Sequence, residues 1–164
     1  MKWLLAAVAA ALLAGYVYWQ RQWVKTTYVN GLAAYTGIAG REYIVERDCY
    51  IFKYKAHDTS WPLLGAHATV PELPSEVKES NVGAEFPAVR ILGIVRIGDR
   101  FRIASVRRDT SRTEQRVTFE IVLVDESTRP FPRLDAYPML DHSPEKEGAA
   151  PTILTDYAVL HGHL

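Results

Sequence analysis

The sequence predicts a mainly β domain, a small barrel or meander with long Pro-rich loops, carried behind an apolar N-terminal helix. Three observations predict it. "RVTFEIVLV" (116–124) alternates apolar and polar residues, placing Val117, Phe119, Ile121 and Leu123 on one face of a strand. Glycine, proline and turn residues punctuate the chain so often that only one short soluble helix finds room. And the chain opens on "WLLAAVAAALLAGYVYW", an uncharged run of 17 residues from Trp3 to Trp19.

As a helix that run is about 25 Å long at ~1.5 Å per residue, a little under the ~30 Å of a hydrocarbon core. Trp3 stands at one end and Tyr16, Tyr18, Trp19 and Trp23 at the other, where amphipathic rings meet lipid headgroups. Arg21 and Lys25 follow within snorkelling reach. A cleaved signal peptide is the rival reading. Its small-x-small triplets, Ala7-Val8-Ala9 and Ala9-Ala10-Ala11, fall inside the apolar stretch, and Leu12 or Leu13 spoils a site at Ala14-Gly15. The expectation is a retained single-pass transmembrane anchor over 1–23. The short basic tail before it places the C-terminal domain outside, in a bacterial periplasm.

Residues 24–41 are rich in glycine and asparagine and read as a tether, leaving 42–164 as one domain. "EYIVE" (42–46) and "CYIFKYK" (49–55) read as strands, the second with Tyr50, Phe52 and Tyr54 on one face. Three prolines break the stretch 57–74. "SEVKESNVG" (75–83) offers a helix of barely two turns, capped by Ser75. A three-strand meander is expected from Val89 to Val124: "VRILGIV", a Gly98-Asp99 turn, "RFRIASVRR", a polar turn, then the alternating strand. Its outward Thr118 is expected to be dispensable. Five of the nine prolines lie beyond Asp125, among short apolar pieces.

Within that region "IVRIGDRFRIASV" resembles the stretch of bacterial SH3-like domains in which a Gly-Asp turn leads into an alternating strand. The resemblance covers about 13 residues and implies a small SH3-like β-barrel. It implies no activity, because fold does not carry function.

Composition narrows the chemistry. The chain has 19 basic and 19 acidic residues, and from residue 26 onward 16 basic against 19 acidic, a net of −3. A nucleic-acid binder carries the opposite balance. The single Cys49 forms no intramolecular disulfide, and Asp48 beside it disfavours a thiolate nucleophile. No phosphate loop, dinucleotide glycine pattern, nucleophile elbow or paired metal-ligand motif occurs, so no cofactor and no metal are expected. A hydrolase is the alternative reading if Asp135, Asp141, His142, His161 and His163 of the C-terminal loops converge in one pocket. A third is a subunit that docks through apolar residues of "YAVLHGHL".

Arginine is the feature that departs from background. Eight lie between Arg90 and Arg116 with no lysine, opposed by Asp99, Asp109 and Glu114, a local net of +5. The guanidinium fork suits carboxylate or phosphate. Strand alternation expects Arg100, Arg102, Arg108 and Arg112 in one exposed cluster, facing anionic lipid or an acidic envelope protein. The sequence thus points to a membrane-anchored binding or structural module of the cell envelope, with no catalysis.

Overall fold

The computed structural model describes residues 2–22, 25–56, 61–111, 114–124 and 131–161. The chain is mainly β. After helix α1 (Lys2–Gln22) come strands β1 (Lys25–Tyr28), β2 (Glu42–Val45), β3 (Cys49–Tyr54), β4 (Leu63–Gly65), β5 (Val89–Val95), β6 (Arg100–Thr110), β7 (Gln115–Leu123), β8 (Leu134–Asp135), β9 (Leu140–Asp141), β10 (Thr152–Ile153) and β11 (Ala158–Leu160).

All but β9 and β10 join one mixed sheet in the order β11-β2-β6-β7-β8-β4-β3-β5, with β1 added beside β6. Only β4 and β8 pair in parallel among the described strands. The path does not truly end at β5, because β5 and β6 are halves of one bent strand. Glu42 pairs with Arg102 and Cys49 with Val95, the same register on both sides of the bend. Followed through its pairings, the sheet runs β6-β7-β8-β4-β3-β5 and returns to β6 along the chain.

That bend corrects the expected meander. The Gly98-Asp99 pair does not fold β5 back onto β6. The Gly98 N–H donates to Val45 O, and the Val45 N–H to Asp99 O, both at 2.9 Å. Two residues thus oppose one, with Gly98 at φ 87°, the geometry of a glycine bulge. A bulge bends a strand where a hairpin turn would reverse it. β5 therefore pairs with β3, and β6 with β1, β2 and β7.

The main core gathers Ile51, Phe101, Ile103, Val106, Phe119 and Ile121 inside this loop of strands. Val117, Phe119, Ile121 and Leu123 are all buried, as their alternation predicts. A second cluster sits on the other side of β3, where Tyr50 and Phe52 meet Leu63, Val70, Leu73, Val89 and Ile91. Both faces of β3 are thus covered. Gly65 lets β4 approach this wall, since a Cβ there would sit 3.1 Å from the Pro138 Cβ.

Two further expectations change. Of the expected tether, residues 25–41 pack into the fold, and residue 24 lies outside the described residues. β1 pairs with β6 over its whole length, and Val29, Tyr35 and Ile38 are buried in the main core. Their spacing is irregular because the segment folds as loops around a 3-10 turn at Ala33–Tyr35. Nor is 75–83 a helix beyond the 3-10 turn Glu79–Asn81. The buried Tyr50 hydroxyl donates to Glu76 O at 2.6 Å and accepts from the Lys78 N–H and the Asn81 amide. It holds as tertiary contacts the polar groups that a helix would have used.

Helix α1 leaves Leu12 and Leu13 more than two-thirds exposed. Among the described residues no helix is long and apolar enough to cross a membrane. The side chains described in α1 are those of residues 6–16.

Candidate functional site: a buried ion network on the outer face

One residue decides which arginines meet. Between Ile103 and Ser105 the β6–β7 register shifts, with Ile103 opposite Ile121 and Ser105 opposite Glu120. Ala104 is the extra residue, and it inverts the alternation of everything after it. Upstream, Phe101 and Ile103 point inward and Arg102 outward. Downstream, Val106 points inward, and Ser105, Arg107 and Asp109 share the outer face with Arg102.

Sequence parity alone puts Arg107 with Phe101 and lets Arg108 reach the Arg102 side. The bulge exchanges them. Arg108 is paired with Val117 and lies over Tyr35, its Nη2 3.3 Å from the Tyr35 hydroxyl and its guanidinium carbon 5.6 Å from the ring centre. Its Nε is buried with no partner among the described residues. Of the four expected cluster members, Arg100 and Arg102 share the outer face, Arg108 turns to the other, and Arg112 lies outside the described residues. Arg100 is half-buried and engaged. Arg102 is exposed and has no ion pair among the described residues.

The outer face of β6 and β7 carries the densest polar construction in the described chain. Glu120 is 1% exposed and Asp135 5%, with Thr118 fully buried between them. Ser105 Oγ donates to Glu120 Oε2 at 2.5 Å and Arg133 Nη1 to the same oxygen at 2.9 Å. Tyr28 Oη donates to Glu120 Oε1 at 3.2 Å. Arg107 spans the acids, with Nη1 3.4 Å from Glu120 Oε1, Nη2 3.1 Å from Asp135 Oδ2 and Nε 3.1 Å from Asp109 Oδ2. The Thr118 hydroxyl and the Tyr137 N–H both donate to Asp135 Oδ1. Thr26 Oγ1 donates to Asp109 Oδ1 at 2.8 Å.

Burial alone would lower the Arg107 pKa, but the carboxylates of Asp135, Asp109 and Glu120 outweigh it and hold the guanidinium above its ordinary value. The charge is therefore permanent. Arg116 adds a longer ion pair to Asp135 at 3.9 Å and stacks 3.4 Å over the centre of the Tyr137 ring. Neither acid is open for proton transfer to a ligand, since every carboxylate oxygen of Glu120 and Asp135 already accepts a bond. The network fastens elements together: β1 through Thr26 and Tyr28, β6 through Ser105 and Arg107, β7 through Thr118 and Glu120, β8 through Asp135.

The pocket condition for hydrolysis is not met by the described members of its set. Asp135 belongs to the network, Asp141 accepts from the Ser143 N–H at 2.9 Å, and His142 is held by Glu145 at 2.6 Å. His161 follows β11, with its N–H on Glu42 O, and His163 lies outside the described residues. A cavity of about 230 Å³ opens elsewhere, lined by Ile38, Arg41, Tyr43, Phe119, Pro151 and Thr152 among others, and holds none of these. Among the described residues no group of three or more His, Cys, Asp or Glu is placed to hold a metal. Burial, then the charge of Asp48, push the Cys49 thiol up to about 12. No family model, curated protein or solved structure matches this chain.

The network was within partial reach of the sequence. Glu120 stands alone as an acid in the apolar strand "TFEIV", a signal that a buried partner is needed. Nothing in the sequence names Asp135, fifteen residues on, as sharing that partner.

Proposed function

We propose that this chain is a membrane-anchored, non-enzymatic binding or structural module of the bacterial cell envelope. In this reading α1 is a single-pass anchor in the inner membrane and the β domain stands on the periplasmic side. The sheet, which returns from β5 to β6 along the chain, is read as a small SH3-like barrel, with the bent β5–β6 strand turning a corner. Arg102, exposed on its outer face beside Arg100, meets an acidic group.

The observation that carries the proposal is the exposed apolar side chains of α1. Leu12 and Leu13 are 69% and 67% exposed, and no described side chain of α1 enters either core cluster. Apolar surface of that kind is covered by lipid or by another protein. Membranes from cells expressing the native sequence test it. The intact mass should begin at Met1 or Lys2, and the chain should stay in the pellet after alkaline extraction. A soluble form beginning near Tyr16 would overturn the proposal.

A further inference from the structure

Helix α1 ends at Gln22 and β1 begins at Lys25. Three residue steps span at most about 11 Å at ~3.6 Å each. Lys25 is the Cα partner of Thr110, the last residue of β6, so the end of β6 lies at most one strand spacing, ~5 Å, beyond that reach of the end of α1. Arg102 stands eight residues back along β6, about 27 Å away at ~3.4 Å per residue. The junction has no slack on the domain side. β1 is paired through Tyr28, and its side chains are tied at both ends, Thr26 to Asp109 and Tyr28 to Glu120.

We propose that the end of the sheet formed by Lys25, Thr110, Glu114 and Gln115 is the surface this domain sets against the lipid headgroups, with the Arg100–Arg102 end held away from them. The inference rests on α1 being the anchor. Lys25 is exposed there, and Tyr28 exposes 56% of its surface while its hydroxyl is bonded inward, a pairing of cation and amphipathic ring suited to a headgroup layer. Asp109 is paired with Arg107 and accepts a hydrogen bond from Thr26, and Glu114 is the exposed acid beside them. Surface electrostatics decay over a Debye length of ~8 to 10 Å. At roughly 27 Å along an extended strand, Arg102 gains little from anionic lipid. The acidic group it meets then belongs to a protein segment.

The full chain, reconstituted in phosphatidylcholine vesicles containing a lipid with a nitroxide on its headgroup, tests the orientation. Single cysteines are introduced at exposed positions at opposite ends, as Gln115→Cys and Ile97→Cys, and labelled with a fluorophore. Buried Cys49 stays in place, and the unsubstituted chain measures its background. Quenching at least twofold stronger for the label at 115 than at 97 is the expected result, with Glu114→Cys repeating it independently. Equal quenching at the two ends, stronger quenching at 97, or no quenching at either end with the protein in the vesicle pellet would overturn the orientation and leave the anchor standing. Protein left in the supernatant would overturn both.

Discussion

The middle of β7 is buried on both faces, by opposite means. Inward, Val117, Phe119, Ile121 and Leu123 enter an apolar core. Outward, Thr118 and Glu120 vanish from solvent just as completely, under Arg107, Arg133, Tyr28 and Asp135. Alternation of apolar and polar residues is usually taken to mean core and water. Here it means core and ion network. The inner face is held by non-directional burial, which tolerates small shifts. The outer face is held by directed bonds that fix one register among four strands, at the cost of desolvating every charge.

Truncation of each face should sharpen that contrast. Phe119→Ala is expected to have the largest effect, about 3 to 5 kcal/mol, because it removes a buried ring and leaves a cavity. Chemical denaturation should show a lowered midpoint with an unchanged slope. Arg107→Met keeps the volume and removes the central cation, exposing Glu120 and Asp135 to each other. About 3 kcal/mol is expected, the lower end for a broken buried pair, since Arg133, Ser105 and Thr118 still hold the acids. A cost under about 1 kcal/mol, the range of surface pairs, would show that water already reaches this face.

Thr118→Val comes next. Outward position alone makes Thr118 dispensable, and the structure reverses that expectation. Its hydroxyl donates to Asp135 in a buried site beside Arg107, and bonds to charged groups contribute about 1.5 to 3 kcal/mol. A loss in that range, measured by the same denaturation, would place Thr118 with the core residues. Cys49 gives a kinetic counterpart. Burial and the Asp48 charge hold its thiol near 12, so at pH 7 a maleimide should react only as the domain opens. Labelling as fast as in denaturant would contradict a core position.

How much of this was legible in the sequence follows from what each signal reports. The inner face of β7, the strands at 42–45 and 49–54 and the predominance of β structure are periodic, and periodicity is what an apolar face imposes on a chain. The bulge at Ala104 leaves no mark, because one inserted residue of any small type inverts parity without a glycine or proline to announce it. That single residue moved Arg107 into the network and Arg108 out of the expected cluster. Residues 25–41 carry no such signal for a related reason. Val29, Tyr35 and Ile38 each reach the core from a separate turn, and no period connects them. The glycine at 98 was visible as a turn signal. Whether such a turn reverses a strand or bends it depends on the partner at Val45, which only the fold supplies.

A second ion network, at the corner, provides the smallest predicted effect and the clearest contrast with the buried one. Asp48 accepts from the Ile97 N–H at 2.9 Å and pairs with Arg96 at 2.6 Å, while Arg96 also reaches Glu79 at 2.5 Å. The chemistry matches that around Arg107, but the side chains are 30%, 40% and 74% exposed. Burial acts to raise the Asp48 pKa, and the Ile97 N–H and Arg96 outweigh it, leaving the pKa below the ordinary carboxylate value. A carboxylate with a depressed folded pKa stabilises the fold above its unfolded pKa of ~3.9, and that contribution is lost as pH falls through the folded value. Asp48→Asn should therefore cost under about 1 kcal/mol at pH 7. The difference from the native chain should shrink as pH drops below ~4, and should also shrink in ~1 M salt, where the Debye length is about 3 Å. The Arg107→Met difference should be nearly indifferent to salt, because its partners are shielded from solvent ions. Equal salt sensitivity for the two variants would mean that the networks are equally wet, and the distinction between a buried fastening and a surface pair would fall.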